Sequence, residues 1–342
     1  MPGSFDLVSS HASVMMALAL QGCAYNLTEL ENLNLAKSWW CQQYYETGQI
    51  SGKLLVAVGD INITLYKYMM VCFVNLNQLN ANGINDYFAE TFDAEDIFDM
   101  VRNKKWTLEA VNHIAQNIGD GTDSYSIIGN NHAMRSFLTS WDIQVTSLNS
   151  QGYPQLNISG NHRLLDAYDK LYKLMYDTES ASYNNAYSDI TKMFANGQSA
   201  LLLHQLDAAQ VLRSTMDEDY AIVPYPMYDT DQTDYRTSYR DAMSAIMVLR
   251  NVSNPLFSGT VTEALSMYGR QEIVMPYYDT ILKYQYFNTS DMPEMLDIIR
   301  NSLAVDFGII CNYSLGGLWS IFSDNIGSGS SSLTSYLKTN EP

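Results

Sequence analysis

Apolar residues in this chain recur at two spacings, and the alternation between them predicts its elements. Tyr187, Ile190 and Phe194 repeat at helical spacing and predict one apolar stripe. Asn196 and Gly197 end that helix, because glycine tolerates the left-handed backbone a helix stop often needs. Residues 200–203 form a short apolar run without alternation, which suits a strand covered on both faces. Residues 206–216 predict a helix, and 220–223 a second strand stopped by Pro224-Tyr225-Pro226. Strands alternating with helices define an α/β class.

The same reading extends along the chain. Residues 5–8 predict a short strand and 11–20 a helix. Residues 25–40 read as a polar connector ending in Trp39-Trp40, and 52–58 and 68–74 as strands. Residues 92–101 are acidic and amphipathic. Thr107 opens a helix whose stripe is Leu108, Val111, Ala115 and Ile118, with Thr107 as its cap. Residues 119–131 are polar and contain glycine, so they read as a loop. Leu164, Leu165, Tyr168, Leu171, Tyr172 and Met175 keep helical spacing. Residues 243–249 predict a strand, Val261, Leu265 and Tyr268 a helix, and Pro293 the first turn of another running through Leu303. Residues 327–332 are rich in Gly and Ser and predict a flexible stretch.

Length and charge narrow the picture. A chain of 342 residues buries a large core and is expected to split into two domains. With 19 basic against 37 acidic residues, the formal charge is −18, and nucleic acid is not expected as a partner. Tyrosine is abundant at 25 residues, which suits ligands with polar edges and apolar faces, although each Tyr also serves as core packing. No segment is long and apolar enough to span a membrane. Residues 12–20 lack a basic flank and read as a buried helix, not a signal peptide.

Catalytic and metal motifs are not apparent. Cys23, Cys41, Cys72 and Cys311 form no CxxC pair and read as free or buried thiols. The five His residues show no paired ligand spacing, so no metal and no cofactor is expected. The DTDQTD run at 229–234 lacks the glycine and closing Glu of a calcium loop. Six N-x-S/T triplets, at Asn26, Asn62, Asn157, Asn251, Asn288 and Asn312, do not establish glycosylation in so Asn-rich a chain.

Several segments, in order, resemble a known family: FDLVSSH (5–11), SWW (38–40), SGKLLVAVGD (51–60), VCFVNLNQL (71–79), KKWTLEAVNHIA (104–115), MFANGQSALLLHQ (193–205), the stretch 220–251 and GGLWSIF (316–322). Together they resemble the extracellular solute-binding proteins of ABC importers, in their maltodextrin-type, sugar-binding branch. The resemblance implies an α/β, two-lobed, periplasmic-binding-protein-like fold with interlobe crossovers. The first lobe is expected at 1–105 plus 241–290, lacking its opening strands, the second at 106–240 plus 291–335, and a tail at 336–342. The implied partners are a small-molecule solute, expected to be an oligosaccharide, and ABC permease subunits. The implied location is extracellular, at the cell surface or periplasmic, with membrane association only through a lipid anchor that this chain lacks.

By position, the resemblance puts Ser10 and His11 at the cleft edge and Trp39 and Trp40 near a connector facing it. It puts Asp60 where sugar hydroxyls are bonded, and His204 and Gln205 in a loop after the second-lobe strand. Tyr239, Arg240 and Asp241 fall at a crossover, and Trp319 in the place of a cleft-lining aromatic. Trp141 is a further aromatic candidate for the ligand, with core packing as its alternative. Two other functions stay open: a carbohydrate-active hydrolase, which needs two carboxylates across a scissile bond, and a fragment that binds no solute and pairs through exposed strand edges.

Overall fold

The computed structural model describes residues 5–340 apart from 152, 159, 184–185 and 286–289. The Asn288 triplet and the last two residues of the expected tail lie outside the described residues. Among the described residues nine strands form three sheets: β1 (Leu7–His11), β2 (Met70–Asn75), β3 (Tyr125–Gly129), β4 (Thr146–Leu148), β5 (Pro154–Leu156), β6 (Ala181–Tyr183), β7 (Ser199–Gln205), β8 (Tyr220–Val223) and β9 (Ser244–Val248).

One lobe is built on a five-stranded mixed sheet in the order β6-β3-β7-β2-β8. Its β3 runs parallel to both β6 and β7, while β2 runs antiparallel to β7 and β8. Both β2 and β7 are buried along their whole length, which is why each reads as an uninterrupted apolar run. Helices Leu108–Asn117, Asn131–Ser140 and Tyr187–Ala195 pack on this sheet. The other lobe holds β1 paired antiparallel with β9, and β9 bridges Ala57 on its far side. Side chains of β9 alternate between the two faces. Ala245 and Met247 join the main core with Met15 and Met16 of the helix Ala12–Leu18. Ile246 and Val248 join a smaller core with Leu27, Leu30, Trp40 and Leu54.

Three passes of chain lie side by side between the lobes. Met69 bridges Tyr239, and the Arg240 amide donates to the Tyr68 carbonyl at 3.0 Å. Beside them, the Thr237 amide donates to the Ser302 carbonyl at 2.8 Å and the Ala304 amide to the Thr237 carbonyl at 3.0 Å. These short paired segments are narrow, so they are the natural place for one lobe to turn against the other.

Several expectations need correction. The segment around β2 was expected in the first lobe, with the boundary near Lys105, but β2 hydrogen-bonds into the five-stranded sheet and the chain changes lobe at Tyr68–Met69. Local sequence does not say which sheet a buried strand joins. Residues 119–131 do not form only a loop; they carry β3, a strand buried by its parallel neighbours. Residues 52–58 form no strand, because their backbone groups go to separate partners: Leu54 to Leu27, Ala57 to Ile246 and Val58 to Cys41. The acidic stretch 92–101 divides at Asp93, which takes φ 49°, and Asp96 then caps a new helix, Ile97–Arg102. Thr107 occupies the cap position of its helix but its side chain makes no capping bond. Residues 336–340 of the expected tail belong to the helix Leu333–Asn340.

Candidate functional site

The carboxyl ends of β3 and β7 point to the three crossovers, the edge where open α/β sheets commonly hold ligands. After β3, Asn130 caps the helix Asn131–Ser140 by accepting from the Ala133 amide at 3.1 Å. That helix start presents Asn131, His132 and Arg135. After β7 comes Asp207, whose carboxylate accepts from the Tyr187 hydroxyl at 2.6 Å. Tyr187 also sets its ring edge-on to His204 at 4.0 Å. From the crossovers come Tyr68, Arg240 and Asp241. The Arg240 guanidinium lies 5.9 Å from the Tyr68 ring centre. Its positive charge also acts on His132, His204, Tyr187 and Asp207. Arg240 is thus the hub of the cluster.

A second cation stands beside it. Arg135 ion-pairs with Asp241 at 3.5 Å, donates to the Ser320 hydroxyl at 2.8 Å and covers the Trp319 ring at 4.3 Å. It also donates to His132 Nδ1, which fixes that ring as the neutral acceptor. Burial, then the charges of Arg135 and Arg240, push His132 down to about 3. Burial, aided by Arg240 and opposed by a Gln205 backbone bond, pushes His204 down to about 4. Burial raises Asp207 above the usual carboxylate range, opposed by its bond from Tyr187 and by Lys67 and Arg240. Several buried polar atoms have no protein partner: His204 Nε2, Gln205 Oε1, Tyr239 Oη, Arg135 Nε, Arg240 Nε and Trp319 Nε1. Such a concentration of unsatisfied groups is unusual away from a functional site.

Comparison with solved structures gives the fold a place among known ones. An ABC substrate-binding protein from Listeria monocytogenes, solved with cycloalternan, superposes with a TM-score of 0.62 at 14% identity, covering 98% of this chain and 82% of its own. This is the fold of the ABC solute-binding proteins. The sugar-binding protein MalE of Xanthomonas citri matches with a TM-score of 0.62 at 12% identity over 95% of this chain and 79% of its own. UgpB of Mycobacterium tuberculosis, solved with glycerophosphocholine, matches with 0.61 at 12% identity over 96% and 78%. No protein-family model and no curated protein matches the sequence.

Within this solute-binding fold the expected site residues separate into two groups. His204, Tyr239, Arg240, Asp241 and Trp319 come together at the crossovers. Ser10 and His11 are exposed at the end of β1, and the register sets His11 opposite Ser244, three residues beyond Asp241. His204 and Gln205 were expected in a loop but form the buried end of β7. Trp319, expected to offer an open ring, is 1% exposed beneath Arg135.

The remaining candidates are structural. The Trp39 and Trp40 indoles both donate to the Glu263 carboxylate, at 3.1 and 3.0 Å. Trp40 also packs against Gly59 so closely that a Cβ there would sit 2.6 Å from its ring. Asp60 is 3% exposed and accepts from Tyr66 at 2.9 Å and Arg270 at 2.8 Å. Trp141 is fully buried, donating to the Pro226 carbonyl at 3.2 Å. Sequence reasoning did not single out Tyr68, His132, Arg135, Tyr187 and Asp207, which join this cluster. A strand followed by Asn at a helix start was the available signal for His132 and Arg135.

A cavity of about 1100 Å³ lies elsewhere. It is walled by Gln43 and Glu46 of the first lobe and by the 229–236 loop, Glu294 and Val305 on the other side. Its charges are largely paired to one another: Arg102 with Asp291 and Glu294, Lys104 with Asp234, and Arg236 with Asp142.

His132 and His204 make stability fall with acid. Their folded pKa values, about 3 and about 4, lie below the ordinary 6.5, so the unfolded chain binds protons that the native chain refuses. Their contribution is complete above pH 6.5 and is lost as pH falls from there toward 4 and 3. Asp306 acts oppositely: burial lifts it to about 6, so its contribution is complete below 3.8 and is lost as pH rises through 6. For His204 the full effect is roughly 3 kcal/mol. Melting temperatures of His204→Gln therefore decline less between pH 6.5 and 4 than those of the unaltered chain; an identical decline would mean that His204 titrates normally.

Proposed function

We propose that this chain is a non-catalytic receptor that captures a carbohydrate between its lobes and delivers it to an ABC permease. The observation that carries the reading is the Arg240 cluster itself. Half-buried Tyr68, His132, Tyr187 and Asp207 lie within reach of the Arg240 charge at the crossovers, Asp241 pairs with Arg135 beside it, and Ser10 and His11 are on the opposite lobe. Hydroxyl-rich solutes are bound by such convergent carboxylate, imidazole, phenol and guanidinium groups. A solute touching both lobes favours the closed arrangement, and closure is what a permease reads.

The fold supports this function, since its solved neighbours include a protein bound to cycloalternan and a sugar-binding MalE. Hydrolysis is disfavoured by the carboxylates present. Asp207 is engaged by Tyr187 and Asp241 by Arg135, so neither of these two carboxylates is free of a partner. Oligosaccharide as the solute class and a location outside the cytoplasm belong to the same proposal.

A second reading has its own observation. Two guanidiniums in one cluster also suit an anionic headgroup, and one neighbour was solved with glycerophosphocholine. A thermal-shift panel of maltotetraose, cyclic glucans, ribitol and glycerophosphocholine separates the two. A ligand that binds only the native state at a hundred times its Kd adds about 2.7 kcal/mol. A saturable rise with a sugar supports the carbohydrate receptor. A rise with glycerophosphocholine alone replaces it with the second reading, and release of reducing sugar from maltotetraose would overturn both.

A further inference from the structure

The polar groups gathered at the crossovers are mostly donors. Arg135 donates to Ser320 and His132 and pairs with Asp241, yet its Nε is unsatisfied at 5% exposure. Trp319 Nε1, beneath it, is orphaned too. The Gln205 amide donates to His204 Nδ1 at 2.8 Å, so the proton of that neutral ring sits on Nε2, and this N–H has no partner. His132 is the same tautomer, because its Nδ1 accepts from Arg135. All of these free groups can only donate. The crossover hydroxyls of Ser238 and Tyr239 can do either, and Gln205 Oε1 can only accept.

Arg240 is the extreme case. Arg102, Arg135, Arg236 and Arg270 each meet a carboxylate, at Asp291, Asp241, Asp142 and Asp60. The half-buried Arg240 guanidinium pairs with no carboxylate among the described residues, and the Tyr68 ring is its neighbour instead. This is unexpected in a chain of formal charge −18. The acids close by are already held, Asp207 by Tyr187 and Asp241 by Arg135. Lys67 also acts on Asp207, so three cations, Lys67, Arg135 and Arg240, stand against two carboxylates.

A neutral sugar brings a proton with every hydroxyl, so it suits a site that gives and takes hydrogen bonds evenly. A carboxylate only accepts, and its two oxygens match the paired N–H groups of a guanidinium. A phosphate dianion matches less well: Arg135 is committed to Asp241, and the two aspartates beside Arg240 would repel a second negative charge.

We propose that the solute is an acidic sugar, a carbohydrate whose carboxylate is received by Arg240 while its hydroxyls meet His132 and Asp207. The proposal rests on the reading of this cluster as the solute site, and adds the charge of the solute and the residue that selects it.

Calorimetric titration tests it, with glucuronate and trigalacturonate each set beside its uncharged methyl ester, and with maltotetraose and glycerophosphocholine. At least one acid is expected to bind at least about tenfold tighter than its ester and than maltotetraose. Arg240→Gln abolishes that preference, and Arg240→Lys keeps part of it, because an ammonium retains the charge without the planar fork. A general loosening of the fold would weaken acid and ester alike, so the ratio between them isolates the role of Arg240. Acid and ester bound equally, a preference that survives Arg240→Gln, or glycerophosphocholine bound tighter than every acid would each overturn the proposal. Of these, equal binding of acid and ester leaves the carbohydrate receptor standing, whereas no heat from any sugar, acidic or neutral, would overturn that reading and this one with it.

Discussion

Replacing Trp141 with alanine is expected to destabilise the chain by about 3–5 kcal/mol. The indole is fully buried at the end of the helix Asn131–Ser140. It packs on Phe137 at 4.7 Å and edge-on to Tyr228 at 5.3 Å, and it holds the Pro226 carbonyl beyond β8. Truncation removes these contacts, opens a cavity and leaves that carbonyl without its donor. In a urea titration the midpoint falls sharply while the slope is kept. Trp141→Phe loses less, because most of the ring volume survives. If Trp141→Ala instead left stability intact and abolished ligand binding, Trp141 would belong to the site after all.

Removing Arg270 is expected to cost a similar amount, about 3–5 kcal/mol, because it leaves a buried carboxylate without its cation. Asp60 is 3% exposed, and once Arg270 is gone it keeps the Tyr66 hydrogen bond and the more distant charge of Arg300. Arg270 also donates to the Ser38 carbonyl at 3.1 Å, so its loss loosens the connector that carries Trp39 and Trp40. Burial already raises the Asp60 pKa, with Arg270 and Tyr66 opposing it. The deficit of Arg270→Ala is therefore largest at neutral pH and shrinks in acid, where Asp60 can be protonated. Adding Asp60→Asn to Arg270→Ala removes the stranded charge and recovers part of the loss. A double variant no more stable than Arg270→Ala alone would show that the pair is not what holds this corner.

The elements legible in the sequence were those whose burial leaves a local pattern. The helix His162–Tyr176 follows its stripe, and β7 follows its apolar run. In contrast, β3 has only two apolar residues in its core, Ile127 and Ile128, and is a strand because β6 and β7 flank it. Reading it as loop also concealed the helix start behind it, and with that His132 and Arg135. Trp39, Trp40 and Asp60 illustrate the opposite difficulty. Their chemistry suits a sugar site, but their partners are Glu263 and Arg270, more than two hundred residues away in the chain. Arg240 and Asp241 were expected at a crossover, and they lie beside the segment where Met69 bridges Tyr239. Their neighbours Tyr187 and Asp207 are brought in only by the folded sheet.

The central claim is that a carbohydrate binds at the Arg240 cluster. Calorimetric titration of maltotetraose or a cyclic glucan into the unaltered chain and into Arg240→Ala, Asp207→Asn and Trp141→Phe tests it most directly. The expected result is saturable one-to-one binding that weakens at least about tenfold in the first two variants and persists in Trp141→Phe, a loss of 1.4 kcal/mol or more. Binding that is unchanged in Arg240→Ala and Asp207→Asn, or no heat with any sugar from a cooperatively folded chain, would contradict it.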